Sequence, residues 1–171
     1  MSLSRKEFLK HGLFSLGELL ITQERAPAKE ERTLRPPGMQ AGRESECGNC
    51  EMCVAACPEG IVRRLDGCNG PVIDLAFGSC RFCYFCIGAC PREVLVFPGE
   101  GKRPRLGIAR TGAGCLAGGG CFTCSERCPE GALELVWGTG ISIDPDRCVG
   151  CGTCESCCPV QPKAIRVEPL V

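Results

Sequence analysis

The chain has 171 residues, enough for one or two domains, and its 20 basic side chains balance 20 acidic ones. This balance excludes a polycation that coats nucleic acid. Eighteen cysteines, 23 glycines and 13 prolines, with aromatic residues at only 5%, leave little apolar material for an ordinary core. Disulfides or bound metal are therefore expected to stabilise the fold.

The first segment, residues 1–21, begins with Ser4-Arg5-Lys6-Glu7-Phe8-Leu9-Lys10. This start is similar to the twin-arginine export consensus with lysine in place of the second arginine, but no uninterrupted apolar core or clear cleavage site follows. The pattern instead predicts an amphipathic helix that either packs on the protein or docks a partner. No stretch of the sequence is long and apolar enough to span a membrane. The apolar face of the helix consists of Leu9, Leu13, Leu16 and Leu20.

The next segment, residues 22–46, is charged and carries Arg35-Pro36-Pro37-Gly38. It shows no helical or strand period, so we expect a linker or an extended arm. The single histidine, His11, lies in the preceding helix, where a surface or packing role is expected.

Four cysteine-rich runs occupy the rest of the chain. The second run, from Cys80 to Pro91, reads C-x2-C-x2-C-x3-C-P, and the runs from Cys47 and from Cys148 repeat it. The third run is wider, because five residues separate Cys115 from Cys121 before the pattern resumes. This spacing is the ligand pattern of bacterial [4Fe–4S] proteins.

Disulfides and zinc are the alternatives to iron–sulfur clusters. A disulfide framework has no reason to repeat a two-two-three spacing closed by proline, whereas a cubane cluster needs several thiolates from one short loop. Zinc is the runner-up, because paired C-x2-C units also suit tetrahedral coordination. Free thiols and iron–sulfur centres both indicate a reducing compartment.

The apolar runs between the cysteines predict short strands. Residues 60–65 and 71–75 form one predicted hairpin, residues 133–137 and 141–144 form a second, and residues 164–167 close the chain as a strand. The fold class is therefore α+β, with two tandem 2[4Fe–4S] ferredoxin-like modules at residues 47–97 and 111–171. Residues 98–110 form a basic linker between the modules, and residues 1–46 form the N-terminal helix and arm.

The ligand sets follow from the rule that, in two-cluster ferredoxins, the fourth cysteine of each run binds the other cluster. Cluster 1 takes Cys47, Cys50, Cys53 and Cys90, and cluster 2 takes Cys80, Cys83, Cys86 and Cys57. Cluster 3 takes Cys115, Cys121, Cys124 and Cys158, and cluster 4 takes Cys148, Cys151, Cys154 and Cys128. Cys68 and Cys157 are left over as bystander thiols, although Cys157 could replace Cys158. No phosphate loop, activated nucleophile or nucleotide fingerprint is present, so the expected chemistry is one-electron transfer.

The order of these features resembles the NapF-type four-cluster ferredoxins, accessory proteins of periplasmic nitrate reductase systems. The resemblance rests on the near-twin-arginine start, the Arg35-Pro36-Pro37 arm, the Arg81-Phe82 and Tyr84-Phe85 pairs, and Cys115-Leu116-Ala117. It implies a cytoplasmic protein that contacts a molybdenum-containing catalytic subunit and supplies electrons to it or assists its maturation. Export in the folded state by a twin-arginine-like signal is the alternative location. A subunit of a larger oxidoreductase and a free polyferredoxin are the alternative functions.

Overall fold

The computed structural model describes residues 33–100 and 104–170. Within these ranges the chain forms four short α-helices, two 3₁₀ turns and six short strands, which confirms the α+β class. The predicted N-terminal helix lies outside the described residues, together with residues 22–32 of the arm and 101–103 of the basic linker. Among the described helices, none has the length and hydropathy needed to cross a bilayer.

Each helix begins inside a cysteine run and carries that run's third predicted ligand on its buried side. The following proline limits the helix to about one turn, because the residue before a proline disfavours the helical conformation. The helices are α1 (Met52–Ala55), α2 (Phe85–Gly88), α3 (Thr123–Glu126) and α4 (Thr153–Cys157). The 3₁₀ turns are Glu44–Cys47 and Leu116–Gly119.

The strands pair antiparallel in three two-stranded sheets. The strands are β1 (Val62–Arg63), β2 (Val72–Ile73), β3 (Ile108–Thr111), β4 (Leu133–Val136), β5 (Gly140–Ile143) and β6 (Ile165–Glu168). Strands β1 and β2 form the first predicted hairpin, and β4 and β5 form the second. Both hairpins and the closing strand are thus confirmed, although β1 and β2 are shorter than the apolar runs suggested.

The described chain has two halves: residues 33–100 contain the first two cysteine runs, and residues 104–170 contain the last two. The outer edges of the two halves are built differently. In the second half, β3 pairs with β6, and Ala109 lies opposite Val167. In the first half, the described part of the arm takes the place of a strand, with single bridges from Met39 to Leu95 and from Leu34 to Ile73. Residues 33–46 are therefore packed against the first half, as part of a compact unit that covers residues 32–171.

Two apolar clusters fill the interior. One lies between the first two cysteine runs and includes the fully buried Ile61, together with Leu106 and Val167 from the second half of the chain. The other lies between the third and fourth runs, around Ala109 and Ile165. Cysteine side chains form part of both clusters. The core therefore covers one side of the predicted ligands and buries eight of the sixteen, whereas Cys83 is exposed.

Candidate metal centres

Four cavities between the described residues are each lined by four cysteines. We number them as sites. Site 1 is lined by Cys47, Cys50, Cys53 and Cys90, and site 2 by Cys57, Cys80, Cys83 and Cys86. Site 3 is lined by Cys115, Cys121, Cys124 and Cys158, and site 4 by Cys128, Cys148, Cys151 and Cys154. These groupings coincide with the four ligand sets expected from the sequence; ligation itself remains a prediction.

Each run of cysteines contributes to two sites. In the first run the loop and helix α1 direct three thiols toward site 1, whereas Cys57, just before Pro58, lines site 2. In the second run Cys90 likewise lines site 1, next to Pro91. The chain thus crosses between the two sites of a half, so that occupation of either site would hold both runs together.

The third run has a wider spacing, but its loop still places Cys121 in the lining of site 3. Residues Leu116–Gly119 form a 3₁₀ turn, and Gly120 follows with a φ of 94°, a left-handed conformation suited to glycine. The Cys121 amide then donates a hydrogen bond to the Leu116 carbonyl at 3.2 Å. The five-residue spacer is therefore folded as a loop, and Cys121 lies beside Cys115 and Cys124.

Two backbone positions are left-handed in both the second and the fourth run. In the fourth run they hold Gly150 and Gly152, with φ of 69° and 85°. In the second run the same positions hold Phe82 and Tyr84, with φ of 52° and 61°. A residue with a Cβ in this conformation costs roughly 1–2 kcal/mol. The loop around site 2 therefore carries backbone strain that the surrounding structure must offset. Both aromatic side chains pack against the first apolar cluster, which stabilises this conformation.

Burial governs the ionisation of the thiols in the absence of metal. It is the main cause that raises the pKa of Cys53, Cys86 and Cys124 to about 11, and neighbouring thiols add to the effect, among them Cys157 beside Cys124. Burial also raises the pKa of Cys154 strongly, again with help from neighbouring thiols. These thiols would hold their protons at neutral pH unless a positively charged centre displaced them.

Backbone amides point at several of the sulfurs. The Phe82 amide donates to Cys80 Sγ at 3.4 Å, and the Ala132 amide donates to Cys128 Sγ at 3.3 Å. The Ala109 amide in β3 donates to Cys148 Sγ at 3.4 Å. Such bonds favour the thiolate and help to set the potential of an iron–sulfur cluster. Sequence reasoning did not identify these donors, because any residue can provide a backbone amide.

The donor sets suit clusters better than single ions. A tetrahedral zinc ion draws four thiolates to within about 2.3 Å of one point, whereas a cubane binds each thiolate through a different iron atom and separates the thiols around a volume. Within residues 33–100 and 104–170, no three His, Cys, Asp or Glu side chains converge on a single ion position. The four-thiol cavities are arranged around volumes, as a [4Fe–4S] cluster requires.

The two leftover cysteines lie apart from these linings. Cys68 is half-buried in the turn between β1 and β2. Cys157 ends α4, where its sulfur lies 3.5 Å from the Cys154 carbonyl and 4.0 Å from the Thr123 carbonyl. Its neighbour Cys158 lines site 3, as the proline after it suggested.

Comparison with known proteins agrees with this chemistry. The family model of the 4Fe-4S binding domain matches residues 141–165. The methylamine utilization ferredoxin-type protein MauM of Methylobacillus flagellatus is 29% identical over 90% of this chain and 74% of its own length. The ferredoxin-type protein NapG of Escherichia coli is 28% identical over 97% of this chain and 86% of its own length.

A shorter relative aligns with less than half of the chain. The pyruvate synthase subunit PorD of Methanothermobacter marburgensis is 36% identical over 42% of this chain and 84% of its own length. No solved structure matches the chain significantly. The similarity to MauM and NapG indicates ferredoxin-type proteins in general and does not single out the predicted NapF-type family. The chain belongs to the ferredoxin-type iron–sulfur proteins, which bind [4Fe–4S] clusters and transfer electrons.

Proposed function

We propose that the chain binds four [4Fe–4S] clusters, one in each of sites 1 to 4, through the sixteen cysteines assigned to them. The observation that carries this proposal is the grouping of these cysteines into four cavities, each with three thiols from one run and one from another. When bound, the clusters supply one-electron redox chemistry. The chain supplies the thiolates, the amide donors and the apolar cover.

The chain is organised as two ferredoxin modules, residues 47–97 and 111–171, with residues 98–110 between them. Two hairpins of the same order and two outer edges support this division. Residues 33–46 of the arm form the outer edge of the first module, and β3 at the end of the linker forms the outer edge of the second module. Both segments are therefore part of the packed structure and are not flexible spacers.

In the cell, this protein acts as a cytoplasmic NapF-type accessory protein. It passes electrons to a molybdenum-containing catalytic subunit of the periplasmic nitrate reductase type, or assists maturation of that subunit, and docks through its N-terminal helix. The Arg81-Phe82 and Tyr84-Phe85 pairs, which resemble those of NapF-type ferredoxins, support this role. The similarity to NapG over nearly the whole chain is consistent with it. The MauM proteins, whose name refers to methylamine utilization, favour a ferredoxin role in another oxidation system as the second candidate.

Anaerobic affinity purification of the full-length chain tests the partner. Co-purification of a molybdenum-containing subunit, lost on deletion of residues 1–21 while the iron content stays unchanged, is expected. Stoichiometric co-purification with a membrane quinol oxidase, or with a pyruvate synthase as the name of PorD would suggest, would contradict the accessory role. Unchanged binding after the deletion would show that the helix is not the docking element.

Iron and acid-labile sulfide analysis tests the cofactor load independently. The unsubstituted protein should contain four clusters, and Cys83→Ala should lose one of them because Cys83 lines site 2. Cys68→Ala is the matched control, since Cys68 lies in a turn outside the four cysteine sets and should keep all four. Cell fractionation tests the location, and recovery of the folded, loaded protein from the periplasm would favour the export alternative.

A further inference from the structure

The two halves of the described chain meet at the second and fourth cysteine runs. The Cys80 amide donates a hydrogen bond to the Cys151 carbonyl at 2.8 Å, which joins two residues that line sites 2 and 4. Beside it, within the second half, the Leu106 amide donates to the Val149 carbonyl at 3.0 Å, and the Leu106 side chain is buried in the apolar cluster of the first half. The loops that hold these two sites are therefore in direct backbone contact.

Glycines allow this close approach. A Cβ on Gly152 would lie 2.4 Å from the Leu75 side chain, and a Cβ on Gly150 would lie 2.5 Å from the Gly107 backbone. A side chain at Gly150 would displace backbone of its own half, whereas one at Gly152 would displace the Leu75 side chain of the first half. Gly152 thus places the fourth run in close contact with the first half beside site 4.

Sites within one half are linked by their shared cysteine runs, because each run lines both sites of its half. Each of the four linings comes entirely from its own half. The hydrogen bond from Cys80 to Cys151 therefore joins the lining of site 2 directly to the lining of site 4.

We propose that the contact between the Cys80 and Cys151 loops is the electron crossing between the two halves, so that the sites exchange electrons in the spatial order 1, 2, 4, 3 rather than in chain order. This proposal rests on the four-cluster loading proposed above. Electron transfer weakens steeply with distance, so the crossing occurs where the ligand loops touch. Sites 1 and 3 are then the two ends of the route.

The route involves only single electrons. One electron enters at one end from a reduced one-electron carrier protein, which is oxidised, and leaves at the other end to an oxidised redox centre of the partner, which is reduced. No bond forms or breaks, and the chain contributes the ligand loops and the contact between them. Either end can serve as the entry.

Magnetic coupling in the full-length holoprotein tests this order. After complete reduction with dithionite under anaerobic conditions, neighbouring paramagnetic clusters broaden and relax one another in the electron paramagnetic resonance spectrum. In the proposed order, Cys83→Ala empties site 2 and leaves site 1 without a neighbour, so an isolated, easily saturated signal should emerge. The matched variant Cys50→Ala empties site 1 and should leave the remaining three clusters coupled, with no isolated signal.

A second pair of variants applies the same logic to the other half. Cys151→Ala should isolate site 3, whereas Cys121→Ala should not isolate site 4. An isolated signal in Cys50→Ala or Cys121→Ala would overturn the route, because it would show that site 2 or site 4 has no coupled neighbour in the other half. Absence of an isolated signal in Cys83→Ala or Cys151→Ala would overturn it as well.

Alanine at a ligand position could remove both clusters of one half. The corresponding serine variants, such as Cys83→Ser and Cys50→Ser, keep an oxygen ligand and lower the potential of the altered cluster, which then stays oxidised and diamagnetic at a potential where the others are reduced. The same two patterns of coupling are expected. Iron content of the unsubstituted protein is measured in parallel: fewer than four clusters overturns the proposed loading and the route with it, whereas four clusters with the wrong coupling pattern overturns the route alone.

Discussion

Two adjacent thiols, Cys157 and Cys158, have different surroundings. Cys158 lines site 3, whereas the Cys157 sulfur faces the carbonyls of Cys154 and Thr123. Cys158→Ala should therefore lose one cluster, and Cys157→Ala should keep the full iron and sulfide content. Equal loss in the two variants, measured by iron analysis after anaerobic purification, would favour the alternative in which Cys157 is the ligand.

A buried carboxylate ties the fourth run to the last strand. Glu155 in α4 is only 6% exposed, and its Oε2 accepts a hydrogen bond from the fully buried Val167 amide at 2.7 Å. Glu155→Ala removes this acceptor and should lower the free energy of unfolding by about 1–3 kcal/mol. Glu155→Gln keeps an acceptor oxygen and should lose less. Anaerobic denaturant unfolding of the loaded protein measures both, and equal losses would mean that the hydrogen bond is not the cause.

The raised thiol pKa values predict how loading depends on pH. The thiols of Cys53, Cys86 and Cys124, with pKa values of about 11, must release protons before they bind iron. Any metal-free state that buries these thiols gains stability from them below about pH 9 and loses that gain as the pH rises toward 11. Loading instead releases the protons, so higher pH favours the loaded state.

Reconstitution of the metal-free protein with iron and sulfide should therefore be more complete at about pH 8.5 than at about pH 7, because thiolate is the binding species. Visible absorbance of the clusters, normalised to protein, measures the yield. A yield that is equal at the two pH values, or higher at the lower one, would show that thiol deprotonation does not limit assembly.

At the scale of elements, the outer edges depend on close backbone packing at glycine. A Cβ on Gly107, just before β3, would lie 2.1 Å from the Glu168 carbonyl oxygen in β6, whereas one on Gly112, just after β3, would lie 3.8 Å from the Ala164 oxygen. Gly107→Ala should therefore destabilise the loaded protein by about 1–3 kcal/mol, while Gly112→Ala should stay within about 0.5 kcal/mol of the unsubstituted protein. Thermal unfolding under anaerobic conditions compares them, and similar melting temperatures for the two variants would contradict the steric argument.

Local sequence patterns predicted some elements of the fold and missed others. The cysteine spacing predicted the four groupings, and the alternating apolar residues predicted both hairpins, because each signal lies within a few residues. The edge made by the arm was not predicted as packed structure, since Met39 and Leu95 meet through one isolated bridge that leaves no period in the sequence. The left-handed Phe82 and Tyr84 were equally hidden, although alignment of their run with Cys148-Val149-Gly150-Cys151-Gly152 would have indicated them.

At the scale of the whole molecule, the contact between the halves lies beyond sequence reasoning for the same physical cause. Its backbone hydrogen bond joins Cys80 to Cys151, and backbone groups carry no residue signature. The basic stretch at 98–110 was expected to be a linker. In the structure its described end includes Leu106, which is buried in the apolar cluster of the first half, and β3. The two predicted modules are thus packed together rather than only joined.

This architecture predicts that the metal-free protein does not hold the native fold. In residues 33–100 and 104–170 the helices are about one turn each and the longest strands have four residues, far below the length at which such elements are stable alone. Much of the buried surface is contributed by cysteines around the four sites, where each run crosses to a second site. Without clusters, these thiols surround cavities, and the two runs of a half lose the ligation proposed to join them.

Removal of the clusters with acid and a chelator under anaerobic, reducing conditions should therefore abolish cooperative thermal unfolding and reduce the far-ultraviolet circular dichroism of the native state. Reconstitution with iron and sulfide should restore both. Cys68→Ala serves as the control, because a thiol outside the four sites should leave the cycle of loss and recovery unchanged. A metal-free protein that keeps full circular dichroism and a sharp melting transition would show that the apolar clusters alone specify the fold.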